Sequence, residues 1–166
     1  MALMIGAVFA VAFALGFSRF GGSAAARVPL ATLVLFQGFR FPLELVMHRA
    51  ATAGVMPPEL SYSGYNFDIV TGAGALLLGG AMSAGVSVPR IVLWAWNLWG
   101  CWCLAAIEFI AIASSPMVGL WGGPPHVNTW VLFVPYVWLP VILVTAAVFG
   151  HIVITRALLS RAAADQ

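Results

Sequence analysis

The chain has 166 residues, 63% of them hydrophobic and 7% charged, with a formal net charge of +2 and a mean hydropathy of +1.03. Soluble domains carry about 25% charged residues, so seven basic and five acidic side chains leave most of the surface to be covered by lipid. That excludes a water-soluble domain, and with no basic stripe it excludes a nucleic-acid partner.

Only helices and closed barrels satisfy a backbone in lipid, and continuous apolar runs argue against alternating barrel strands. The pattern therefore predicts an all-α integral membrane bundle, one domain over 1–166, with five transmembrane helices near 1–17, 28–50, 67–87, 91–113 and 129–157. The first, MALMIGAVFAVAFALGF, has no basic flank before its apolar run and reads as a retained span rather than a cleaved signal. SRFGGSAAAR separates it from the second. The second span contains FQGFRFPLELVMHRA, in which Gln37, Arg40, Glu44 and His48 fall three or four residues apart, with Pro42 among them. On a helix they make one polar stripe, and Pro42 should leave the Gly38 carbonyl without its helical donor.

TAGVMPPELSYSGYN leads to the third span, whose Ala75-x-x-x-Gly79 and Ala81-x-x-x-Gly85 spacings let helix backbones approach closely. After SVPR, the fourth span carries Trp94, Trp96, Trp99 and Trp102, either packed within the bundle or lining a site for a flat ligand. Cys101 and Cys103 lie on the same span about 200° apart and should not bridge. SSPMVGLWGGPPHVN precedes the fifth span, where Pro135 and Pro140 predict a broken or tilted helix.

Five spans put Arg19, Arg27, Arg90, Arg156 and Arg161 on one side and only Arg49 on the other. The positive-inside bias then predicts N-terminus out and C-terminus in, in the multi-pass manner of a bacterial inner-membrane protein. At 1.5 Å per residue, Arg40 falls near the midplane, with Glu44 and His48 above it towards the outside. Asn66, Asp68 and Glu108 belong to the same outer half, as do Glu59, Tyr62, Tyr65, His126 and Asn128. Asn97, His151 and Arg156 belong to the inner half. Charge at the bilayer centre costs about 2.5–3.5 kcal/mol per residue on insertion scales, so Arg40 needs an acidic partner, either Glu44 or Asp68. Two readings stay open: a closed ion-pair clasp of Arg40, Glu44 and Asp68, or the wall of an outward-facing pocket.

No metal is assigned. His48 and His126 are weak candidates, since no H-x-x-x-H or H-E-x-x-H spacing supports them. No cofactor is assigned either: the chain lacks lysine for a Schiff base, and His48 and His151 should lie near opposite faces, too far apart to share a haem iron. Phosphate-binding and nucleophile-elbow motifs are absent.

Gln37-x-x-Arg40-x-x-x-Glu44 and Gly64-x-Asn66-x-Asp68, with Trp96–Asn97 and Val137–Pro140, resemble an uncharacterised group of small bacterial multi-span membrane proteins. The resemblance would cover most of the chain and implies no activity. From the residues themselves we expect an outward-facing polar pocket of Gln37, Arg40, Glu44, Asn66 and Asp68, with Asn97 and Glu108. It would bind or move a small or lipid-like molecule, with membrane lipid as its medium and a homo-oligomer or larger membrane complex as its setting. The rival readings are a membrane-embedded enzyme acting on a lipid or isoprenoid, and an accessory subunit whose polar cluster is architectural.

Overall fold

Seven α-helices, with no strand among the described residues, follow from the apolar runs: α1 (Ala2–Phe17), α2 (Arg19–Arg27), α3 (Leu30–Phe36), α4 (Arg40–Thr52), α5 (Asp68–Ser83), α6 (Arg90–Ala113) and α7 (Thr145–Ala164). The computed structural model describes residues 2–164, and side chains from Leu3 to Ser160. The side chain of Arg161, counted above on the basic side, lies outside that range.

Three stretches are long and apolar enough to cross a membrane: Leu30–Thr52, Arg90–Ala113 and Leu139–Ser160. A fourth exists if the pair Leu3–Phe17 and Arg19–Arg27, bent by 58°, counts as one. Ser18 makes that bend: its side chain accepts from the backbone N–H groups of Phe20 and Gly21, capping α2. α5 is apolar but has only 16 residues, short of the roughly 20 that span a bilayer.

The second stretch is continuous but not uniform. A 3₁₀ turn, Gln37–Phe39, joins α3 to α4, just before Pro42, the residue that withholds a donor from the ladder. The fifth run differs more from its expected extent. Residues 129–137 are a 3₁₀ turn and loop, and from Trp138 the chain enters a π-helical segment, Leu139–Val144, with Pro140 in its first turn. Proline fits there because the opening N–H groups of a helix have no intrahelical partner.

α5 packs on α3 and α4 and touches α6, while α7 packs on α1, α2, α3 and α6. Bilayer lipid offers no hydrophobic gain for helix association, so close van der Waals packing must supply it. Gly72, Ala75 and Gly79 of α5 are buried. A Cβ on Gly72 would lie 2.3 Å from the Phe41 backbone nitrogen, and one on Gly79 would lie 2.6 Å from the Leu35 side chain. Ala81 and Gly85 take no part in that contact; Gly85 has φ +84° just after α5 ends, and both lie nearer the surface. The helix ends are pinned by arginines. Arg156 donates to the carbonyls of Gly16 (2.6 Å) and Ser18 (2.9 Å) at the end of α1, and Arg90 donates to the Leu158 carbonyl. One end of the bundle thus collects Arg19, Arg27, Arg90 and Arg156. The other holds the loops that carry Glu59, Tyr65, Trp121 and His126.

Candidate functional site

Close packing at Gly72 decides what Arg40 meets. Asp68 lies four residues before Gly72 and on the same face of α5, so bringing Gly72 against the Arg40–Phe41 backbone delivers the Asp68 carboxylate to the guanidinium. Arg40 Nε donates to Asp68 Oδ2 at 2.5 Å and Nη2 donates to Asp68 Oδ1, a bidentate pair. The third edge, Nη1, lies 2.7 Å from His151 Nε2. A guanidinium only donates, so His151 Nε2 accepts and its proton sits on Nδ1. Nδ1 then donates to Asn97 Oδ1 at 2.9 Å, and Asn97 Nδ2 donates to Thr155 Oγ1 at 2.8 Å. The result is one directed hydrogen-bond chain, Arg40 to His151 to Asn97 to Thr155, crossing α4, α7 and α6. Arg40, His151 and Asn97 are all at most 1% exposed.

Glu44 does not join Arg40. Among the described residues it forms no ion pair; both of its oxygens lie 2.9 Å from Asn66 Nδ2, which also donates to the Leu60 carbonyl at 3.1 Å. Asn66 Oδ1 accepts from the Asp68 backbone N–H at 3.1 Å, so Asn66 ties the second carboxylate to the first turn of α5. Gln37 sits below, donating from Nε2 to the Ala147 carbonyl at 3.2 Å, while its Oε1 finds no protein donor.

Two glycines make room for the cluster. A Cβ on Gly100 would stand 2.3 Å from the His151 ring, and one on Gly150 would stand 2.0 Å from Gln37 Nε2. The structure therefore brings Gln37, Arg40, Glu44, Asn66, Asp68 and Asn97 into one cluster and adds His151, Thr155, Gly100 and Gly150, which residue spacing did not place there. A span over 129–157 places His151 in the inner half. Because the helix opens at Leu139 rather than near 129, His151 sits at the middle of Leu139–Ser160, level with Arg40. The spacing His151-x-x-x-Thr155, with Asn97-x-x-Gly100 opposite, was the available signal.

Glu108 stays apart, half-buried on α6 and facing a separate small cavity. The two histidine candidates also part company. His48 stacks on Tyr62 (ring centroids 4.4 Å apart) and faces Ser61 and Ser63, while His126 lies 2.5 Å from Glu59. No group of three or more His, Cys, Asp or Glu side chains among the described residues could hold a metal ion.

Cavity size separates the two kinds of site in this molecule. The void touching Arg40, Glu44 and Asp68 holds about 40 Å³, room for about one water at roughly 30 Å³. On the exposed face of α6 that carries Trp99 and Trp102, a separate cavity of about 510 Å³ is walled by Tyr65, Phe67, Trp99, Trp102, Phe109 and Trp121, with Cys103 and Ile110 among its other lining residues. Ligand pockets usually measure about 300–1,000 Å³. Tyr65 and Trp121, from the loops before α5 and after α6, stack over it at 6.0 Å between ring centroids. The His126–Glu59 contact ties the same two loops together.

No family model, curated protein or solved structure matches this chain. The arrangement of its own residues has to carry the functional argument.

Proposed function

We propose that this is a multi-pass plasma-membrane protein, of the bacterial inner-membrane kind that its motifs resemble, which binds or moves a small lipid-like molecule with a flat or branched apolar body. The observation that carries this reading is the 510 Å³ aromatic cavity, separate from a polar cluster with room for about one water. An anion drawn to Arg40 would have to displace Asp68 and His151 first, so the polar cluster acts as the support and the aromatic cavity as the receptor. Trp102 and Phe109 are 67% and 65% exposed, so an occupant enters sideways from the bilayer.

Native mass spectrometry of the protein released from membrane nanodiscs tests this. The parent should carry a co-purifying lipid or isoprenoid mass that is lost, or reduced by about tenfold, in Trp99→Ala/Phe109→Ala. Equal retention by the two proteins would remove the basis for the reading. One observation favours the enzyme alternative: Glu108 is a carboxyl in a membrane span with no hydrogen-bond partner among the described residues, as a general acid or base would require.

With α5 as a short fifth span, the N-terminus faces out and the arginine-rich end faces the cytoplasm. In a Cys101→Ala/Cys103→Ala background, Ser63→Cys should react with an impermeant maleimide added outside, and Ser87→Cys only after the membrane is opened. Labelling of both from the same side would discard the five-span arrangement.

A further inference from the structure

Glu108, like Glu44, stays outside the Arg40–Asp68 clasp. It walls a cavity of about 40 Å³ bounded by α1, α4, α6 and the segment from Asn128 to Val144. Among the described residues, no other ionisable side chain lines that cavity. Trp130 walls it too; its indole N–H is buried and finds no acceptor, and the residue is 6% exposed. Buried donors of this kind are almost always satisfied by protein or by water, and the space suffices for about one water. A carboxyl without a donor and an indole without an acceptor thus face a space that one water could bridge.

This cavity adjoins the one beside the clasp. Met47, Ile107, Leu139 and Val144 line both, and the far wall of the second holds Arg40, Glu44 and Asp68. Leu139 and Val144 are the two ends of the π-helical segment, whose wider turn shapes the partition. Arg40, Asp68 and Asn66 face Glu44, whereas His48, one turn further along α4, turns to Ser61 and Ser63. A metal would need three or more ligands and an anion a free cationic group; the paired cavities offer neither.

We propose that Glu108 and Glu44 are two proton-binding sites joined by water through the adjoining cavities, with Glu108 taking the proton from the Asn128–Trp130 side and Glu44 holding it against the clasp. Each uptake converts a carboxylate and one solvent proton into a neutral carboxylic acid, and each release reverses it; no other bond forms or breaks. The inference does not depend on what occupies the aromatic cavity.

Infrared difference spectroscopy on the full-length protein in phospholipid vesicles tests it. The expected result is a carboxylic-acid carbonyl band that titrates with pH, shifts in deuterated water and is lost in Glu108→Gln. A second such band should be lost in Glu44→Gln, and that variant should also move the midpoint of the Glu108 band, because linked sites titrate as a pair. The proposal is overturned if Glu108→Gln removes no acid band, if the bands do not respond to deuterated water, or if Glu44→Gln leaves the Glu108 midpoint in place. Both substitutions keep side-chain volume and polarity, and unchanged helicity by circular dichroism shows that each variant is folded.

Discussion

Asp68→Asn should destabilise the bundle by about 3–5 kcal/mol, the usual cost of leaving one member of a buried ion pair without its partner. Asparagine matches the shape of the aspartate but offers one oxygen acceptor where the guanidinium now uses two, and it removes the compensating charge from a side chain that is 1% exposed. The neutral bonds of the cluster matter less. Hydrogen bonds between membrane helices average about 0.6 kcal/mol, so the Asn97–Thr155 and Gln37–Ala147 contacts together cannot match the pair. Replacing both charges, Arg40→Met with Asp68→Leu, should recover most of the loss, because apolar replacements of a buried pair are often neutral or stabilising. Reversible unfolding in mixed detergent micelles measures both. A single variant within about 1 kcal/mol of the parent would show that Glu44 takes over Arg40 and that the pair is not decisive.

The second large effect concerns a hydrogen atom. Gly72→Ala places a methyl group 2.3 Å from the Phe41 nitrogen and 2.9 Å from the Arg40 carbonyl carbon. Both are backbone atoms, so no side chain can swing aside, and α5 must back away from α4. Overpacking of this kind costs about 1–3 kcal/mol. Here it also draws Asp68 from Arg40, so the two losses couple rather than add. The checkable outcome is that Gly72→Ala loses much less when introduced into the Arg40→Met/Asp68→Leu protein than into the parent. Equal losses in the two backgrounds would separate the helix contact from the ion pair. Gly80 is the internal comparison: a Cβ there would meet nothing within 4 Å, and Gly80→Ala should be neutral or slightly stabilising through helix propensity.

How much of this was legible in the sequence depends on what kind of signal each feature leaves. Composition and continuous apolar runs identify the helical membrane class, because lipid imposes that constraint on every residue. The Gln37–Arg40–Glu44 stripe is legible because i, i+4 spacing is a local property of one helix. Which carboxylate Arg40 chooses is not local. Glu44 is its neighbour along α4, yet Asp68 is its partner, because a glycine at position 72 sets the distance between two helices. His151 was hidden by a boundary: an apolar, proline-bearing run from 129 looks like helix, but two prolines and the loop they shape delay the helix to Leu139, which moves every later residue by about two turns in depth. Tyr65, Phe67 and Trp121 come to the aromatic cavity from two loops distant in sequence, and no periodicity reports that.

The direction of the hydrogen-bond chain has a further consequence. A protein that threads ionisable groups through the middle of a membrane risks short-circuiting the ion gradients across it. Here every bond from Arg40 through His151 and Asn97 to Thr155 points the same way, and the first donor is a guanidinium that keeps its protons. His151 Nε2, 2.7 Å from that cation, has its lone pair taken up as the acceptor of this bond. The Arg40–His151 contact therefore feeds no proton into the chain: a relay towards Thr155 would have to start from a guanidinium that does not release one.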